Sequence, residues 1–156
     1  MHITKIYKKL EKFPFGKHLF SWIVCYRAPY FKSISPLFEA LDNGICIASI
    51  KNKKRIHNHI GTIHAIAVCN LAEAVAGLYM EASIPSHLRW IPKGMHVEYL
   101  KKTPTDLIAR CEQPADTIKL GVNTLTIHVF DTSEEVVLKA NIEMHVSKKV
   151  KRRIKK

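Results

Sequence analysis

The longest apolar stretch of the chain spans residues 65–80, and its only strongly polar side chains are Asn70 and Glu73. It is alanine-rich, free of proline and long enough for more than four helical turns, so it predicts a helix. Around the helical wheel it has almost no polar face, and a helix apolar on all sides is buried on all sides. Thr62 is the expected N-cap, and Pro85 closes the segment. An ionisable group at Glu73 is costly there unless it is paired, protonated or facing a cleft.

Either side of this helix the pattern changes. Residues 1–40 read as a helical extension, with Ile3, Ile6, Tyr7, Leu10 and Phe13 on one face and Lys5, Lys8, Lys9 and Lys12 elsewhere. Pro14 and Gly16 break that segment, and a second apolar stretch follows over residues 19–26. The basic amphipathic helix is expected to pack over the domain rather than rest on a membrane surface. Residues 44–50 are strand-like, and the cationic stretch 51–55 follows as a turn. Beyond the central helix, Pro92-Lys93-Gly94 marks another turn, and strands are expected at 95–100, 106–111, 119–130 and 135–146. In the third of these Leu120, Val122, Thr124, Thr126 and His128 alternate with Gly121, Asn123, Leu125, Ile127 and Val129. The sum is an α+β arrangement, an antiparallel sheet wrapped around a long central helix, with extra N-terminal helices. The domain proper is expected at 41–147 and a basic tail at 148–156. A small sheet cannot enclose a helix completely, so a second subunit is the natural cover for the remaining face.

Composition narrows the class. A chain of 156 residues with 47% hydrophobic and 24% charged residues is one globular domain. The net charge of +12 is uneven, since residues 148–156 hold seven cations and the rest of the chain carries only +5. No aromatic residue interleaves with that tail, which argues against nucleic acid and leaves a solvated end with at most weak contact to a membrane surface. The first ten residues lack the apolar core of a signal peptide, and the central helix, with Asn70 and Glu73 inside it, is a poor membrane span. Cys25, Cys46, Cys69 and Cys111 lie far apart with no CxxC pair, as small core residues in a reducing compartment do. A cytoplasmic location is the expectation.

The chemistry concentrates where the helix begins, in Asn58-His59-Ile60-Gly61-Thr62-Ile63-His64-Ala65, with Glu73 nine positions after His64. This pattern resembles the motif of hotdog-fold acyl-CoA thioesterases of the phenylacetic-acid-pathway type: Asn, two residues, Gly-Thr, one residue, His-Gly-Gly, and an acidic residue nine after the histidine. Asn58, Gly61, Thr62, His64 and Glu73 match by type and spacing. The strand-like block from Met95 to Lys102 and the pair Val129-Phe130-Asp131 and Val136–Ala140 resemble later strands of that family. The block from Arg89 to Gly94 points to a hypothetical-protein branch of the same superfamily. Three positions depart: Ala65-Ile66 stands for Gly-Gly, Glu73 for the more frequent Asp, and Pro92 or Lys93 where relatives often have Ser or Thr.

The resemblance implies hydrolysis of an acyl-CoA thioester by a homodimer or a dimer of dimers, with no cofactor. Glu73 would be general base or nucleophile, and Asn58 would position the carbonyl or the water. Gly61 and Thr62 would contact substrate, and Arg89 and Lys93, with Lys54 and Arg55, are the cations nearest the relevant loops for the coenzyme A phosphates. Elementary physics supports the same assignment. Unpaired N–H groups at the helix start, near His64 and Ala65, would stabilise an oxyanion. Burial would make Glu73 a better base near neutral pH. Nine helical residues span about 13.5 Å, so Glu73 cannot serve the carbon held at its own helix start, and the site should be shared between subunits. A metal cluster of His57, His59 and His64 is disfavoured, since no acidic or cysteine ligand stands beside them at ligand spacing. His96, His128 and His145 read as strand residues. The alternative reading is a hotdog module that binds acyl-CoA or a lipid-like ligand without hydrolysing it, motivated by the missing glycine pair.

Overall fold

The computed structural model describes residues 3–149, and the basic tail expected at 148–156 lies outside them from residue 150 onward. Helix α1 (Ile3–Leu10) and helix α2 (Gly16–Arg27) lead through a 3-10 turn (Pro29–Ser33) into strands β1 (Leu37–Asp42) and β2 (Ile45–Ile50). Helix α3 (Ala65–Ser83) follows, and then β3 (Leu88–Tyr99), β4 (Leu107–Glu112), β5 (Gly121–Phe130) and β6 (Val136–Lys148). The strands form one six-stranded sheet in the order β1-β2-β4-β5-β6-β3, with every neighbouring pair antiparallel.

Strand alternation gives the sheet one apolar face. Cys46, Ala48 and Ile50 on β2, Leu107, Ala109 and Cys111 on β4, and Leu125, Ile127 and Val129 on β5 are all buried. Helix α3 lies across that face, packed on β2, β4, β5 and β6. Thirteen of its nineteen residues are buried, so the expectation from its composition holds for most of its circumference. It is long and apolar enough to cross a membrane, but those apolar faces are covered by the sheet. Glu73 and Glu81 are exposed, and with Ile66 they trace a line that the sheet of one chain leaves uncovered.

The N-terminal helices are part of this core. Tyr7 is buried, donates from its hydroxyl to the Glu39 carbonyl at 2.6 Å and meets Phe20 edge-on, and Phe20 in turn meets Phe38 of β1. The apolar face of α1 therefore packs inward as expected, except that α1 ends at Leu10 and leaves Phe13 exposed. The boundary expected at residue 40 falls inside β1. The expected turn at Pro92-Lys93-Gly94 is also corrected: β3 runs through it, with a register shift against β6 between Pro92 and Gly94. Proline is tolerated there because β3 is an edge strand, and the bulge absorbs the extra residue. All four cysteines are buried free thiols.

If α1 belongs to the cooperative core, Tyr7→Ala should cost about 3 kcal/mol, as other large-to-small core changes do. Urea unfolding should show one transition with a lowered midpoint; an unchanged midpoint would mean that α1 is an independent appendage.

Candidate active site

The residues singled out by the motif fall into two groups on one helix. The first is the loop leading into α3. Asn58 closes it: its side-chain oxygen accepts from the Ile60 and Thr62 N–H groups, both at 3.1 Å, and its amide donates to Thr62 Oγ1 at 2.8 Å. Gly61 has φ +80, a conformation that strains any other L-residue. Thr62 is thus held by Asn58 and does not cap the helix. His64 is the N-cap, and its Nδ1 accepts from the Ile66 N–H at 3.1 Å. That bond places the proton of the neutral ring on Nε2, leaving a donor pointed outward.

The cap also decides which backbone donors remain. His64 N–H donates to the Ile56 carbonyl, Ile66 N–H to the His64 ring, and Ala67 N–H to the His64 carbonyl. Among the described residues, Ala65 alone of these four has no acceptor for its N–H. The helix therefore begins with one free amide at the positive end of its dipole.

The loop rests on a neighbouring segment that sequence reasoning missed. Thr103 is buried, donates to the Ile63 carbonyl at 2.9 Å and accepts from the Ile63 N–H. Asn52 bonds the His57 ring and the Pro104 carbonyl. Asp106 accepts from Asn52 N–H at 2.7 Å and from Lys51 Nζ at 2.8 Å, which holds its carboxyl below the ordinary range. Thr103, directly before Pro104 and three residues before Asp106, has an ordinary turn signature, so nothing in the sequence marks its role.

The second group surrounds Glu73, eight residues after Ala65 and about 12 Å along the helix. Glu73 opens into a shallow cleft of about 210 Å3, whose other walls are Pro92, Lys93, Gly94, Met95 and Ile142. Its carboxylate is exposed in the single chain, and no ion pair among the described residues includes it. The desolvation expected from an all-apolar helix is therefore not supplied by this chain alone. β3 runs antiparallel beside this line of α3. Tyr99 OH meets Cys69 Sγ at 3.2 Å, and Trp90 lies over Gly77 with its indole N–H bonded to Glu81 at 2.9 Å. A Cβ at Gly77 would come within 3.2 Å of Trp90, so the glycine four residues after Glu73 was the available signal for this close approach. The Cys69 contact raises the Tyr99 phenol, keeping it protonated.

The cations divide as well. Lys93 joins Glu73 in the cleft, whereas Lys54 and Arg55 sit in the 3-10 turn before the Asn58 loop, with Arg55 bonded to Ser35. Arg89 is apart from both groups on the outer face of β3, where Nε donates to Ser147 at 3.1 Å. No group of three or more His, Cys, Asp or Glu among the described residues could hold a metal.

An antiparallel sheet wrapped around one long helix, with a turn-closed loop and a free amide at that helix's start, is the hotdog fold. Within it, the chain belongs to the family described as Domain of unknown function (DUF4442), whose model matches residues 16–146, from α2 to the end of the sheet. A structural-genomics target is similar at 35% identity over 96% of this chain and 100% of that one, with a TM-score of 0.84. A Pseudomonas aeruginosa protein of unknown function, described as a probable thioesterase, is 20% identical over 85% of this chain and 93% of its own, with a TM-score of 0.76. A thioesterase from Haemophilus influenzae is 11% identical over 80% and 86%, with a TM-score of 0.71. The last two share the fold. No curated protein matches the chain.

Asp106 gives the anchoring segment a pH signature. Because the folded carboxylate releases its proton more readily than the unfolded one, its contribution is complete above the ordinary value of 3.8 and fades below it. Asp106→Asn should therefore be less stable than wild type near neutral pH, with the gap closing on acidification. Denaturant titrations across pH check this, and a pH-independent gap contradicts it.

Proposed function

We propose that the protein hydrolyses acyl-CoA, or a related acyl thioester, at a site shared between two subunits. The observation that carries this reading is the division of labour on α3: a free Ala65 N–H at one end, and a solvent-facing Glu73 about 12 Å away. Neither half can act on the other's substrate carbon within one chain. The cleft around Glu73 is walled by β3, an edge strand whose outer N–H and C=O groups are available to a second strand. Antiparallel pairing of two β3 edges about a two-fold axis would carry Glu73 of one subunit toward Ala65 of the other and exclude water from the carboxylate.

In that arrangement the thioester oxygen accepts from the N–H of Ala65, the residue next to the His64 cap. Glu73 takes a proton from water as the hydroxyl attacks the carbonyl carbon. Collapse of the tetrahedral intermediate breaks the C–S bond, and the thiolate takes up the proton from Glu73. Direct attack by the carboxylate, which breaks the C–S bond, expels the thiolate and forms an anhydride that water then opens, uses the same geometry. Asn58 serves by holding the loop shape, since its oxygen is committed to two backbone donors. Lys93, Lys54 and Arg55 are the cations offered to the coenzyme A phosphates, whereas Arg89, on the outer face of β3, is set apart from them.

One observation favours a second reading. Ile66 occupies the second glycine position of the resembled motif and is 55% exposed beside the helix start, where a bulky side chain can hold an acyl group without the approach that hydrolysis needs. Tight acyl-CoA binding by calorimetry with no turnover at any chain length would select it.

A thioester panel with free-thiol detection separates the two. Turnover is expected, and Glu73→Gln should lower kcat by about 10³-fold, within the range for loss of a general base. Ala65→Pro should lower it by about 10²-fold through loss of one oxyanion donor, with thermal stability kept, because proline suits the first helical position. Unaltered turnover by Glu73→Ala would sink the mechanism.

A further inference from the structure

Helix α2 is apolar on two opposite sides. Its inner side, with Phe20, Val24 and Cys25, is buried against β1 and α1. Its outer side carries Leu19, Trp22 and Tyr26, spaced three and four residues apart, which puts them on a single stripe, and Phe15, the N-cap residue, is exposed just before it. Phe15 is 80% exposed, Trp22 62% and Tyr26 74%, and Trp22 and Tyr26 stack with ring centroids 5.6 Å apart. Tyr30, in the 3-10 turn, is exposed just beyond the end of the helix. A surface helix normally turns its polar face to water, so a continuous aromatic stripe of this size marks an interaction site.

Its position separates it from the proposed subunit contact. α2 packs on β1, at one edge of the sheet, and β3 is the opposite edge, about 24 Å away across five strand spacings. Pairing through β3 leaves the stripe open. Its charge selects the occupant. Residues 3–35 hold seven Lys and Arg against the single carboxylate Glu11; Lys8 and Lys17 pair with Asp42 and Glu39 of β1, and Lys12, Arg27 and Lys32 are exposed near the ends of the stripe. Two copies of such a face repel each other, whereas an anionic surface attracts it. The side chains fit a bilayer boundary: tryptophan and tyrosine rings settle at headgroup level, phenylalanine and leucine reach the acyl region, and lysine and arginine stay with the phosphates.

We propose that α2 lies flat on an anionic lipid surface, with Phe15, Leu19, Trp22 and Tyr26 inserted at the headgroup boundary. This docking is independent of the hydrolase reading, since it uses none of the residues around Glu73 or Ala65. It also differs from an electrostatic tether by the chain's basic end, because the aromatic stripe carries it.

Co-sedimentation with vesicles tests it, comparing phosphatidylcholine mixed with phosphatidylserine against phosphatidylcholine alone. Wild type should partition onto the anionic vesicles. A full-length variant with the five cations of residues 151–156 replaced by glutamine should still do so. The combined Leu19→Ser, Trp22→Ser and Tyr26→Ser variant should lose roughly tenfold or more in partitioning, with an unchanged melting temperature because these side chains are exposed. In a Trp90→Phe background Trp22 is the only tryptophan, and brominated lipids should quench its emission. Absence of wild-type binding, binding undiminished in the triple variant, loss of all binding in the tail variant, or an unquenched Trp22 would each overturn the proposal. A wild type whose sedimentation coefficient falls in the triple variant without vesicles would overturn it in favour of a second copy of the chain.

Discussion

Helix α3 is held against the inner face of the sheet by a closely packed core. Ala72, Ala74 and Ala76 on the helix and Ala48, Ala109 and Ala140 on the strands are all fully buried. Larger residues, Leu71, Tyr79 and Met80 with Ile127 and Ile142, are buried in the same core. Interiors packed at this density resist any change of volume, so the helix is fixed in position and rotation relative to the strands. Its rotation then determines which line of the helix stays uncovered. Glu73 is on that line, between the Tyr99–Cys69 contact and the Trp90–Gly77 contact.

The same fixed helix sets the geometry at its start. Once His64 has capped Ile66 and accepted from Ala67, only the Ala65 amide is left with dipole and direction but no acceptor. The Asn58 loop and the Thr103 contacts hold that end from outside. Missing glycines do not remove this donor, since it belongs to the backbone. What Ala65-Ile66 changes is the room around it, since the Ile66 side chain is exposed beside that amide.

Much of this was legible in local pattern, and the failures have specific causes. β2, β4, β5 and β6 follow from local pattern within a residue or two of their ends, and the central helix runs three residues beyond the stretch expected for it. β1 was hidden because a register shift between Phe38 and Ala40 breaks its alternation, so its two buried residues, Phe38 and Leu41, stand three apart. Pro92-Lys93-Gly94 has the composition of a turn, and only pairing with β6 makes it a bulge. Thr62 looked like a cap because threonine often is one, but Asn58 claims its hydroxyl and leaves the cap to a histidine ring. The exposure of Glu73 could not be read at all, since it depends on where a sheet of distant strands stops covering the helix. The aromatic stripe of α2 was visible only as a hydrophobic segment, its inner and outer faces being equally apolar.

The central claim is that Glu73 and Ala65 act across a subunit boundary, and complementation between defective subunits tests it most directly. Glu73→Gln and Ala65→Pro chains, each expected to be about 10²-fold or more slower than wild type alone, are refolded together in equal amounts. In a mixed dimer one site then receives an intact Glu73 from one chain and an intact Ala65 amide from the other. With random pairing of two equivalent subunits, about a quarter of all sites are restored, and hydrolysis should return to about that fraction of wild type. If the mixture remains as inactive as its components while mixed dimers are present, the two groups do not meet across the interface and the shared site is wrong.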